Sequence, residues 1–344
     1  MNTGFFLTRW FFLAMRWVYN GLCSALTWKG SYVIVLTIFL FTVAIRLLTI
    51  STDISSRKSS AKMAAIQPDL QKLQKKYGND PQKLNMEQKK LMADRGVSMF
   101  GGCLPMLITL PLFFIFINAF RAWSNEQTLH LLLTMNEDPE AGFALFNSYK
   151  FLWINNIWRP DNLSSSVVLT AEEFLTTFAP SGTSQIQSYI YFTEHQQAFE
   201  TLLQNMHFFD ANLQMVSDTS AFVSSYNEIM GPCIEAYASR VNGYAVLPVL
   251  AGVTTFLQSW LSMRNTPQQT DANGNNSGKT MMYAMPLLTV FFCWKYDSTF
   301  SWYWIVSNIV AIAITLILNK KMPAILAKSE AKRLKKAEAK GAKK

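Results

Sequence analysis

The chain has 344 residues, half of them hydrophobic, and a formal net charge of +9. That is more apolar surface than one soluble domain hides, and the apolar residues fall in runs near the roughly 20 that cross a bilayer. Four cysteines without CxxC spacing and three histidines in one polar stretch give no metal pattern. No nucleophile with a base, paired carboxylates or phosphate-cradling loop stands out, which argues against an enzyme, a cofactor or a small-molecule substrate.

In chain order, residues 1–30 open with FFLTRWFFLAMRWVY, in which Arg9 and Arg16 sit on one helical face of an apolar, aromatic stretch. The expectation is an amphipathic helix lying in the outer membrane interface; a signal peptide fits less well, because Arg16 interrupts the apolar run and no small-residue cleavage site follows. Residues 31–50 form the first predicted span. The segment 51–98 reads as a cytoplasmic helical hairpin: Met63, Ile66, Leu70, Leu73 and Tyr77 recur at helical spacing, and Pro68 begins or kinks that helix. Gly78, Asn79 and Asp80 break it, with Asp80 as cap and Pro81 as first residue of the next helix. A second span covers 103–120. Residues 121–242 form an inserted external domain, expected to be mostly helical, with Thr170 and Glu173 as a capping box and helical composition from 186 to 209. A third span covers 243–263, a polar inner loop 264–280, a short fourth span 281–294 and a fifth 300–319. The fourth, at 14 residues, requires a thinned bilayer or a shallow hairpin with the fifth. Residues 320–344 read as a lysine-rich helix or a disordered arm.

Charge sets the expected orientation. Residues 51–98 hold ten basic and five acidic side chains, residues 320–344 ten and two, and residues 121–240 four and thirteen. Basic flanks stay in the cytoplasm, which puts the N-terminus outside and the C-terminus inside, and five spans satisfy this parity.

Arg46 is the most informative residue, because it lies within the first span among apolar neighbours. An arginine there faces a bundle interior or a wet cavity, or it snorkels from near the inner end to the interface; spacing alone leaves both open. Thr42 lies one turn earlier on the same face. Asn118, Gln258, Ser307 and Asn308 give most other spans a polar residue, each individually more typical of interhelical hydrogen bonding than of function. Together they suggest a bundle enclosing a partly hydrated concavity.

Five strings carry a resemblance: QPDLQKLQKKYGND (67–80), GCLPMLITLPLFFIF (102–116), LPVLAGVTTFLQSWLSM (247–263), MPLLTVFF (285–292) and WYWIVSN (302–308). In this order the chain resembles the YidC insertases of the bacterial plasma membrane, relatives of the mitochondrial oxidase-assembly insertases, over about half its length. The resemblance implies an all-α membrane protein with a five-helix core and a hydrophilic groove open to the cytoplasm and to lipid. It implies groove roles for Arg46 and Thr42, and client contact for the aromatic pair Tyr303 and Trp304. It further implies nascent membrane proteins as clients, a Sec translocon as an optional partner, and a basic tail (Lys332, Arg333, Lys335, Lys336, Lys340) that touches the ribosome, though the same charges suit anionic lipid. Two departures bear on local helix ends. The proline usual after the groove arginine is missing in LLTISTDIS, and Asp297, Ser298 and Thr299 replace a Pro-Ser-Gly before the last span. An assembly scaffold in which the 121–242 insert is the binding module is the alternative; a transporter fits less well, since the five spans contain no Asp or Glu.

Overall fold

The computed structural model describes residues 6–26, 30–97, 104–180, 185–264 and 277–341. These are mostly helical, and in place of strands they contain isolated β-bridges such as Ser166 to Val241. The helices are α1 (Phe6–Ala25), α2 (Ser31–Tyr77), α3 (Pro81–Arg95), α4 (Leu104–Glu137), α5 (Pro139–Asn147), α6 (Ala171–Phe178), α7 (Ile190–Glu194), α8 (Gln196–Asn205), α9 (Ser220–Ile229), α10 (Gly231–Tyr237), α11 (Val246–Met263), α12 (Ser277–Lys295) and α13 (Ser298–Gly341). α2, α11 and the Ser298–Ile325 part of α13 are each long and apolar enough to cross a bilayer, and Met282–Lys295 of α12 is a shorter apolar segment. The architecture is that of an all-α membrane protein. Side chains such as Leu48, Val249, Leu287 and Ile309 stand exposed on these helices, as expected where the surrounding solvent is hydrocarbon.

Three expected boundaries are not helix ends. α2 runs for 47 residues through the limit set at residue 50, because STDISSRKSS contains no Gly or Pro to stop it. Pro68 does not begin a helix; it sits inside α2, the position of the kink alternative, where it removes one backbone donor. α4 continues past residue 120 to Glu137, since the next breaker is the Asp138-Pro139 pair, whose carboxylate accepts from the Glu140 and Ala141 amides to open α5. α13 likewise passes residue 319 and extends to Gly341. The fourth span lies within the 19-residue α12, whose apolar segment is the short Met282–Lys295.

The chain divides into two compact units. The first comprises Met1–Phe41, Leu112–Ala251 and Thr289–Ile305, the second Thr42–Pro111, Gly252–Leu288 and Val306–Lys344. In the first, α1 buries Phe12 and Met15, leaves Trp10 and Trp17 exposed, and pairs Arg16 with Glu194 at 2.6 Å. The insert packs around Phe174, which meets Phe178, Phe208, Phe222 and Tyr226 at ring-centroid distances of 4.5 to 6.1 Å. The run expected to be helical from 186 to 209 is broken at Tyr189 and His195, neither of which offers a side-chain cap. Thr170 and Glu173 form the expected capping box. Thr170→Ala is expected to cost about 1 kcal/mol, read as a small fall in the thermal unfolding midpoint, because Glu173 keeps its second tie to Arg159 at 2.7 Å.

In the second unit, α2 and α3 form the helical hairpin. Asp80 accepts from the Lys83 amide, Pro81 is the first helical residue, and Gly96 closes α3 in the left-handed conformation at φ 61°. The hairpin core is Ile66, Leu70 and Val97, with Met63, Leu91 and Met92 against it.

Candidate functional site

The second unit gathers buried polar groups that an apolar helix would ordinarily avoid. Arg46 donates from Nε and Nη2 to the Ser307 hydroxyl at 3.1 and 2.6 Å, and Thr42 is 1% exposed. Asn308 donates from Nδ2 to the Thr254 and Thr255 hydroxyls at 3.1 and 2.9 Å. Ser307 and Asn308 therefore have different neighbours, α2 for one and α11 for the other. Gln258 bonds along its own helix, to Ser262 at 3.4 Å. Sequence reasoning missed Thr254 and Thr255, which on spacing alone are unremarkable threonines in an apolar run.

The aromatic pair belongs to the first unit, where it is half-buried. Tyr303 lies against Phe116 and Phe120 at 4.5 and 5.4 Å, and Trp304 against Phe113 and Phe300 at 5.4 and 5.7 Å. These two side chains are thus the partly open edge of a phenylalanine cluster, apolar with a polar tip. Asn118 is exposed, and its amide donates to the Phe114 carbonyl on its own helix at 2.9 Å. The side chains of Lys332, Arg333, Lys335, Lys336 and Lys340 lie outside the described residues, although α13 passes through their positions.

A second concentration of polarity lies in the first unit alone. A cavity of about 560 Å³ is walled by Arg121, Ser124, Trp158, Arg159, Glu173 and Asp297, among others. Asp297 retains slight surface exposure, yet protein surrounds its carboxyl, and this burial pushes its pKa up to about 7 against the opposing pull of Arg159, Arg121 and the Ser124 hydroxyl. Glu126 nearby is also raised by burial, although it accepts from the Tyr191 and Ile190 amides. The sequence marked Asp297 only as a departure at a helix end.

A multi-span helical membrane protein with an arginine held inside its helix packing is the class that fold and site define. The family model described as the 60Kd inner membrane protein matches residues 26–325, and the chain belongs to that family. Among curated proteins it is 32% identical over 153 residues to the membrane protein insertase YidC of Clostridium perfringens, covering 43% of this chain and 56% of that protein. It is 24% identical over 317 residues to the insertase of the same name from Chlorobium luteolum, covering 92% and 38%. With the Caldanaerobacter subterraneus protein of that name it shares 42% over 106 residues, 30% and 51%. The matched part thus spans about half the length, or less, of these relatives.

Proposed function

We propose that the protein is an insertase that moves client membrane proteins from the cytoplasm into the bilayer through a hydrophilic groove centred on Arg46. The observation that carries this reading is the neutral tether of Arg46: Ser307, an uncharged acceptor, holds the guanidinium by two hydrogen bonds. Carboxylates bind a guanidinium more strongly than hydroxyls do, so an acidic residue in a client's polar flank can displace Ser307. The buried Thr42 and the Asn308, Thr254 and Thr255 cluster add hydrogen-bonding groups at membrane depth, which lowers the cost of lodging a polar segment there. Tyr303 and Trp304 offer apolar surface to the client, with Asn118 and Gln258 as further polar contacts. No nucleotide is required, because burying about 20 apolar residues in lipid supplies the free energy.

The charge distribution supports an external N-terminus, an external insert and a cytoplasmic hairpin and tail. The tail lysines would hold a translating ribosome by its phosphates, or anionic lipid, and a Sec translocon is a compatible partner.

The test is insertion of a single-span client with an acidic external tail into liposomes containing either the protein or Arg46→Ala. The expected result is insertion by the first and a several-fold loss in the second, with Arg46→Lys intermediate because a point charge cannot reproduce the fork. Equal insertion by both would reject the groove reading. Insertion by neither would reject the insertase and favour the assembly scaffold.

A further inference from the structure

α2 carries a second arginine in register with the first. Arg57 follows Arg46 by 11 residues, which is three turns on the same face and about 16 Å along the axis. α13 answers both from one face of its own: Ser307 receives Arg46, while Arg57 donates from Nη1 to Asn319 at 3.0 Å and from Nη2 to Thr315 at 2.5 Å. The Thr315 hydroxyl gives its own proton to the Ala311 carbonyl at 2.7 Å, so its lone pairs are what face Arg57. Among the described residues neither arginine is in an ion pair. Asp53 lies between them in sequence, one turn before Arg57, and feels the charge of both.

Both guanidiniums are therefore fixed in direction by neutral acceptors, which an incoming carboxylate can outcompete. Arg46 sits within the apolar run that ends near residue 50, and Arg57 lies beyond it on the side of the basic hairpin. We propose that Arg57 is a second client-binding cation, which takes an acidic residue of the client's flank first and passes it to Arg46. This rests on the insertase reading and adds to it an earlier binding step at Arg57, which acts only on clients that carry a carboxylate in the flank.

The experiment uses the full chain in liposomes and two single-span clients differing only by Asp or Asn at one flank position. For Arg57→Gln, the initial insertion rate of the Asp client is expected to fall about tenfold while that of the Asn client is unchanged, and Arg57→Lys is expected to restore most of the loss. A fall for both clients together with a lower unfolding midpoint would overturn the proposal and make Arg57 a clamp between α2 and α13. A loss confined to vesicles containing phosphatidylglycerol, absent in pure phosphatidylcholine, would overturn it in favour of a lipid anchor. If Arg46→Gln slows the Asp client and Arg57→Gln does not, the insertase stands and this role for Arg57 falls. If the unaltered protein inserts neither client, the insertase reading fails and takes this one with it.

Discussion

Asp161→Ala is expected to destabilise the first unit by about 3 to 5 kcal/mol. Asp161 is fully buried and its carboxylate accepts three hydrogen bonds, from the Ala245 amide at 3.1 Å, the Leu247 amide at 2.7 Å and the Trp153 indole at 3.2 Å. Two of these donors belong to the entrance of α11, so the insert supplies the anion that this helix lacks at its N-terminus. The alanine variant leaves two buried amides and the partly buried Trp153 indole without acceptors, and each such loss carries about 1 to 3 kcal/mol. The fit around the carboxylate is tight: a Cβ on Gly243 would come within 1.9 Å of its Oδ1, so that glycine is required by close approach. Asp161→Asn keeps one acceptor oxygen and should lose clearly less than Ala. Denaturation of the detergent-solubilised protein checks this, and an alanine variant within about 0.5 kcal/mol of the parent, the scatter of an ordinary surface change, would refute the capping role.

The stability of the first unit is expected to fall as pH rises from about 4 to about 7. Asp297 is raised from 3.8 to about 7 in the folded protein. Between these values the folded state holds a proton that the unfolded state has released, so rising pH favours unfolding; above pH 7 both states are ionised and the curve flattens. A shift of this size corresponds to about 4 kcal/mol if undiminished, and the residual exposure of Asp297 brings the expectation to about 2 to 4 kcal/mol. Asp297→Asn removes the charge that burial penalises. It should unfold several degrees above the parent at pH 8 and close to it at pH 4. A parent whose midpoint is flat from pH 4 to 8 would show that Arg159 and Arg121 fully compensate the carboxylate.

Most of the spans were legible because a bilayer imposes a composition and a length: three of the described helices meet both, and a fourth apolar segment is shorter. Where each helix ends was less so. Hydropathy marks where apolar residues stop, but a helix stops at Gly, Pro or a cap, and neither the stretch after residue 50 nor that after residue 120 has one. Caps that are local, such as Asp80 with Pro81 or Thr170 with Glu173, could be read directly. The insert could not be, since Phe174 finds Phe222 and Asn242 bonds Asn156 across long stretches of sequence that carry no periodic signal. The site divides along the same line. Arg46 stands out because a charge in an apolar run is conspicuous, while Arg57 was one of ten basic residues until the continuity of α2 put it on the same face. Its partners Thr315 and Asn319 lie more than 250 positions away, and nothing local marks them.

A helix of 47 residues is about 70 Å of stiff rod. Here the first glycine after the span is Gly78, and the only interior weak point before it is Pro68. Between the turn into α3 and Arg46, α2 is interrupted by no glycine and by Pro68 alone among prolines. The tip of the hairpin and the two arginines therefore belong to one continuous helix.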